Sequence, residues 1–249
     1  MSANPEVPGK ESGQPTIVLV HGAFADSSSW NGVIANLRRR GYPVIAVANP
    51  LRGVQEDAAY VRSVLDAIDG PVVMAAHSYG GAVMTEAADG AANVKALVFV
   101  ASISPDVGES VLALTMKYPG SQLGTAIKMV PFRLSDGSTG MDQYIYQDKF
   151  PAVFAADVAP DVAELMAVTQ RPATEHAQSG SVTKAAWKTI PSWTLVSTQD
   201  QGIPPDLQRF MAERAGSTTI EVEASHAVAV SQPGPVADFI DTAARATKG

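Results

Sequence analysis

The chain of 249 residues contains no cysteine, which excludes disulfides, thiolate zinc sites and a cysteine nucleophile. Histidine occupies only four positions, so chemistry that needs an imidazole has few places to reside. No apolar run approaches the roughly 20 residues that a membrane-crossing helix needs. Basic residues are outnumbered 18 to 25, giving a net charge of −7 and a pI near 5.0. That balance argues against nucleic acid or an anionic membrane as the main partner, because both reward basic patches. Met1 to Gln14 is polar, carries Pro5, Pro8 and Gly9, and lacks the apolar stretch of a signal peptide, so a cytoplasmic location is expected. With 46% hydrophobic residues the chain can bury one substantial core, and no internal repeat or low-complexity tract interrupts it.

What is present is organised around Val72-Val73-Met74-Ala75-Ala76-His77-Ser78-Tyr79-Gly80-Gly81, an apolar strand that runs into a serine and then into small residues opening a helix. This reads as a nucleophile elbow, a strained strand-to-helix turn flanked by small residues two positions before and after the serine. The usual G-x-S-x-G becomes A-x-S-x-G here, and Ala76 keeps the required smallness. Such a turn would lift the Ser78 Oγ clear of the sheet edge and set it at a helix N-terminus, whose free N–H groups can steady an oxyanion. The plainer reading is a buried serine in an ordinary turn.

Taken in order, Thr16 to Val20 is a continuous β-branched run of the sort found in strands covered on both faces. Trp30, Val33, Ile34 and Leu37 predict an amphipathic helix, with Ser27, Ser28 and Ser29 as capping residues and Gly41 as its stop. A strand over Val44 to Val47 follows, then a helix marked by Ala58, Val61, Leu65 and Ile68 and ended by Gly70 and Pro71. After the elbow, Val94 to Ala101 is the next strand. This alternation predicts βαβ units and a mostly parallel, doubly wound sheet with helices on both faces. After Ser102 the rhythm breaks until about Thr189, in a tract too long for bare loop, and an inserted cap over 103–188 is expected, with one helix carrying Val162, Leu165, Met166 and Thr169. The core is then 1–102 and 189–249. It resumes with a strand over Ser192 to Ser197, a helix over Leu207 to Ala215, a strand over Thr219 to Glu223 and a last helix over Pro235 to Ala244.

A serine hydroxyl is a poor nucleophile unless a base lies within hydrogen-bond reach and a third group orients that base. Of the four histidines, His21 belongs to the loop after the first strand, His77 sits inside the elbow, and His176 lies in the expected cap as a surface residue. His226 remains, in a loop after the last strand, at the sheet end where ligands gather in open α/β folds. The orienting carboxylate should fall between Ser78 and His226, following the chain order of such elbow proteins. Asp200 fits best, just past the strand ending at Ser197 and before Pro204 and Pro205. Asp106, after Pro105 at the entrance to the cap, is the alternative, and a turn aspartate is its plainer reading.

With these segments in view, the chain resembles the α/β-hydrolase superfamily and is similar within it to the plant methylesterase and hydroxynitrile lyase group. The carrying segments are Val18-Leu19-Val20-His21-Gly22-Ala23, the elbow, Gln199-Asp200-Gln201-Gly202-Ile203-Pro204, and Ser225 to Pro233. The resemblance implies Ser78 as nucleophile, His226 as general base and acid, and Asp200 as orienting carboxylate. It also implies an oxyanion hole from the backbone N–H groups of Ala23 and Tyr79, with Phe24 lining the substrate pocket, and no metal or organic cofactor. The cap shows no alignable match.

The expected activity is a carboxylesterase acting through an acyl-enzyme on small to medium uncharged esters or lactones, since the aromatic and methionine content of the cap suggests an apolar pocket. Two alternatives are a lyase cleaving cyanohydrins and a hydrolase-like receptor with little turnover. The lyases of the resembled group carry a lysine after the catalytic histidine and a threonine at the position of Gly22, whereas this chain has Ala227 and glycine. Both differences point to the esterase branch.

Overall fold

The computed structural model describes residues 13–247, and the polar N-terminal stretch read as lacking a signal segment lies outside them apart from its last two residues. The chain begins with β1 (Thr16–Val20), followed by a 3₁₀ turn (Ser27–Trp30) that runs into α1 (Asn31–Arg39), then β2 (Val44–Val47) and α2 (Val54–Asp66). The elbow strand β3 (Val72–Ser78) leads into α3 (Gly80–Ala88), and β4 (Val94–Ser102) closes the first half. Between β4 and the next core strand lie α4 (Val111–Lys117), α5 (Leu123–Ala126), β5 (Ile127–Arg133), β6 (Thr139–Ile145), α6 (Phe150–Phe154), α7 (Pro160–Thr169), β7 (Ala173–Thr174) and α8 (Glu175–Ser179). The core resumes with β8 (Ser192–Ser197), α9 (Pro205–Arg214), β9 (Thr218–Val222), α10 (Val228–Ser231) and α11 (Pro233–Ala246).

Six strands form one parallel sheet in the order β2-β1-β3-β4-β8-β9. Alternate residues of each strand face opposite layers. Ile17 and Leu19 pack with Trp30, Val33 and Leu37 of the α1 side and Val236, Phe239 and Ile240 of α11, whereas Val18 and Val20 pack with Val61 and Leu65 of α2 and Val83 of α3. Covering on both faces is why the inner strands read as unbroken apolar runs: every residue of β3 is buried. The outer strands β2 and β9 are only partly covered.

Two expectations need correction. None of the serines caps the first helix: Asp26 caps the 3₁₀ turn that leads into it, its carboxylate accepting from the Ser28 N–H at 2.7 Å, and α1 follows Trp30 with no side-chain cap. The second helix starts earlier than its apolar spacing suggests, because Gly53 caps it and Glu56 and Asp57 sit favourably at the positive end of its dipole. The tract after β4 holds the expected helix around Leu165 as α7, but it also holds a three-stranded antiparallel sheet, β5-β6-β7, that the reading of this tract as mixed helix and turn did not include.

Candidate active site

The strand-to-helix turn at the end of β3 holds Ser78 at φ 56°, in the left-handed region. A non-glycine residue there costs on the order of 1–3 kcal/mol and persists only where its surroundings hold it. Here the Ser78 carbonyl accepts from the Ser102 hydroxyl at 2.8 Å and from the Ile103 N–H at 3.2 Å. Smallness is required around it. A Cβ on Gly22 would stand 2.6 Å from the Ser78 Cβ, and one on Gly80 would stand 2.6 Å from the Val20 carbonyl oxygen. Ala76 instead points into the apolar layer of α2 and α3, where a methyl group is accommodated.

Ser78, His226 and Asp200 are joined in one hydrogen-bonded chain. His226 Nδ1 lies 2.7 Å from Asp200 Oδ2, and His226 Nε2 lies 2.9 Å from Ser78 Oγ. Because an ionised carboxylate only accepts, Nδ1 carries the proton and donates, which leaves Nε2 to accept from the serine hydroxyl. That is the tautomer in which the imidazole can take a proton from Ser78. Asp200 is itself held by three further donors: the Gly202 and Ile203 N–H groups at 2.7 and 2.9 Å on Oδ1, and Gln208 Nε2 at 2.9 Å on Oδ2. Asp106 is elsewhere. It pairs with Lys188 Nζ at 2.5 Å, and that hydrogen bond holds its carboxyl below the usual carboxylate range.

The remaining histidines fall where the sequence suggests, two of them with functions in holding loops. His21 is buried and donates from Nδ1 to the Gly22 carbonyl at 2.9 Å. His77 donates from Nε2 to the His226 carbonyl at 2.8 Å, tethering the loop that carries the base. Burial lowers the pKa of both rings, that of His77 well below the ordinary value, so each is neutral. His176 is exposed on α8. Phe154 of α6 stands edge-on to the His226 ring at 4.8 Å, and Asp157 accepts a short hydrogen bond from Ser225 next to His226. Gln208, His77 as a tether and Asp157 were not found from sequence. Gln208 sits on the buried face of α9 with no motif to mark it.

The Ser78 Oγ opens into a cavity of about 590 Å³. The core supplies Ala23, Phe24, Ser78, Tyr79, Ile203 and His226, and the segment between β4 and β8 supplies Val111, Leu112, Met116, Tyr118, Leu123, Ile127 and Met129 among others. No Asp, Glu, Lys or Arg lines it among the described residues. Ala23 and Tyr79 flank Ser78, and among the described residues neither backbone N–H is engaged by an acceptor. Phe24, at φ 63°, is fixed by its N–H donating to the Arg171 carbonyl at 3.0 Å.

A serine at a strained elbow, linked through histidine to a loop aspartate at the carboxyl edge of a parallel sheet, defines a class of protein recognised by geometry across chemistries. Residues 17–239 match the alpha/beta hydrolase family, and the chain belongs to it. Among curated relatives, "Alpha/beta hydrolase nvfD" of Aspergillus novofumigatus (strain IBT 16806) is 26% identical over 254 residues, covering 93% of this chain and 97% of that protein. Among solved structures, polyneuridine aldehyde esterase superposes with a TM-score of 0.78 at 20% identity, covering 92% of this chain and 98% of that one. Tomato methylketone synthase I, complexed with 2-tridecanone, gives 0.77 at 14% identity, covering 94% and 99%. These two likenesses speak for the fold, and they agree with the plant esterase-like resemblance read from the motifs.

Proposed function

We propose that the protein is a serine carboxylesterase of the cytoplasm that cleaves uncharged esters or lactones through an acyl-enzyme. The observation that carries this reading is the Ser78–His226–Asp200 chain opening into a cavity without a charged wall. In the proposed sequence, Ser78 Oγ attacks the ester carbonyl while His226 Nε2 takes its proton. The developing oxyanion is met by the N–H groups of Ala23 and Tyr79. His226 then gives its proton to the departing alcohol, and a water activated by the same nitrogen releases the acid. Asp200 keeps Nδ1 protonated and steadies the imidazolium. Residues 103–188 act as the cap that selects the substrate, with apolar side chains such as Leu112, Met116 and Met129 facing the acyl or alkoxy group. The name of polyneuridine aldehyde esterase and the 2-tridecanone held by the tomato protein suit an esterase with room for an apolar chain.

Cyanohydrin cleavage is disfavoured because no Lys or Arg among the described residues lines the cavity to hold the leaving cyanide: Ala227 follows His226, and it is buried. A panel of p-nitrophenyl esters of graded acyl length tests the proposal, with Ser78→Ala as control. We expect hydrolysis by the native chain, loss of at least about 10³-fold in kcat for Ser78→Ala, labelling of Ser78 by an organophosphonate, and no cyanide from mandelonitrile above the uncatalysed rate. Cyanide release that depends on Ser78, with no ester turned over, would move the chain to the lyases. Tight ligand binding without turnover of any ester would make it a receptor.

A further inference from the structure

Behind the elbow lies a buried carboxylate that the proposed chemistry does not use. Asp57, in the first turn of α2, is wholly buried. Its Oδ2 accepts from the Tyr79 hydroxyl at 2.7 Å, and its Oδ1 accepts from the Arg52 N–H at 3.0 Å. The Arg52 side chain turns the other way, to Asp142 of β6 at 2.8 Å and to the Pro172 carbonyl at 2.7 Å. Tyr79 follows the strained Ser78, and it is buried, with 1% of its surface exposed. The peptide N–H between Ser78 and Tyr79 is one of the two proposed oxyanion donors.

A strained peptide keeps its direction only if both sides of it are held. On the Ser78 side, the carbonyl is gripped by Ser102 and Ile103. On the Tyr79 side, the side-chain hydrogen bond reaching from the elbow to a different element is the one to Asp57. We propose that Asp57 is a positioning residue for the oxyanion hole: by gripping the Tyr79 hydroxyl it holds the Tyr79 N–H aimed at the cavity beside Ser78. This inference rests on the esterase reading. Burial pushes the Asp57 carboxyl up and, with the neighbouring carboxylate, keeps the Tyr79 phenol protonated as the donor, which is consistent with the direction of the bond.

The molecule contains its own control. Tyr42 also donates to a carboxylate, Asp241 at 2.5 Å, but on the α1 and α11 side of the sheet. If a phenol–carboxylate pair only aids packing, Tyr42→Phe and Tyr79→Phe should behave alike. If Asp57 positions the N–H, only Tyr79→Phe should slow the chemical step. We expect Tyr79→Phe and Asp57→Ala each to lower kcat about tenfold or more with KM within about twofold, because a misaimed donor weakens transition-state contacts and spares ground-state binding. The double variant should lose no more than either single. Asp57→Asn should keep kcat within about threefold, since an amide oxygen still accepts from Arg52 while its NH₂ donates to the phenol oxygen.

Active-site titration by the p-nitrophenol burst sets the enzyme concentration, so that loss of folded protein does not pass for loss of kcat. Tyr79→Phe keeps the ring volume and decides the matter if Asp57→Ala does not fold. A Tyr79→Phe enzyme with native kcat, matching Tyr42→Phe, overturns the proposal, as does a loss confined to KM. Should Ser78→Ala retain ester turnover, the esterase reading itself fails. An inactive Ser78→Ala beside a fully active Tyr79→Phe removes only the role of Asp57.

Discussion

The parallel sheet and the segment inserted between β4 and β8 handle apolar side chains in opposite ways. In the sheet, helices cover both faces, and the strands β3 and β8 are buried along their whole length. In the insertion, β5 has only partly buried and exposed positions. Of the eleven large hydrophobic side chains exposed among the described residues, nine lie within 103–188, including Leu112, Met116 and Met129 on the wall of the cavity. The sheet and its covering helices therefore supply much of the stability of the molecule, and the insertion supplies most of the apolar lining of the cavity. Substitutions in the first should act mainly on folding, and substitutions in the second on which substrate is accepted.

The sharpest way to break this division is through the two loop aspartates, one from each region. Asp200 of the core is buried and held by three donors besides His226, so Asp200→Asn removes the acceptor that fixes the imidazole tautomer. We expect kcat to fall by about 10³–10⁴-fold with the fold retained. Asp106→Asn, which loses a half-exposed pair with Lys188, should leave kcat within about twofold. A larger loss for Asp106→Asn in steady-state assays would place the orienting acid in the insertion.

A second comparison sets Leu37, wholly buried on α1, against Met116, which is 77% exposed on α4. Leu37→Ala leaves a cavity against α11 and should cost about 2–5 kcal/mol in urea unfolding. Met116→Ala should change stability by no more than about 0.5 kcal/mol and show itself in KM for longer acyl chains. Equal stability losses would show that the insertion is as integral to the fold as the sheet.

A further effect, a pH dependence, arises in the core. Burial holds the imidazoles of His21 and His77 below the ordinary histidine value of about 6.5 in the folded state, whereas the unfolded chain takes up protons near that value. The unfolded state thus binds more protons below pH 6.5, and stability falls as pH drops through this range toward the depressed folded values. Each histidine contributes at most about 1.4 kcal/mol per pH unit. Unfolding midpoints measured at pH 8.0, 6.5 and 5.5 should be nearly level between the first two and lower at the third; a profile level throughout would mean that the two rings take up protons in the folded protein as readily as in the unfolded chain.

Much of this division was legible before any coordinates. The apolar runs at Thr16 to Val20 and Val72 to Ser78 read as covered strands because a strand buried on both faces has no reason to alternate. Of the residues linked at the candidate site, His226 was found by elimination among four histidines once Ser78 was read at an elbow, and Asp200 was preferred to Asp106 for its place just past a strand. Less was legible in the insertion. The pairing of β5 with β6 runs through Lys128, Val130, Pro131 and Arg133, a sequence without a clean period of two, so the Asp136-Gly137 turn between the strands had no alternating runs beside it to mark a hairpin. Its sheet is stabilised by contacts such as Thr174 N–H to the Leu51 carbonyl and Arg52 to Asp142, between elements far apart in the chain.

What the sequence determined by itself is local and periodic: which stretches are strands or helices, where small residues permit a sharp turn, and in what order serine, aspartate and histidine follow one another. Backbone propensity and the burial of one face act over a few residues, so they leave a pattern that can be read. Tertiary structure alone decided the rest. Ser78 and His226 are 148 positions apart, and Gln208 reaches Asp200, Asp57 reaches Tyr79 and Asp157 reaches Ser225 through hydrogen bonds set by how helices and loops dock on the sheet. A single buried polar contact leaves no periodic trace, because its partner is chosen by geometry after the layers have packed.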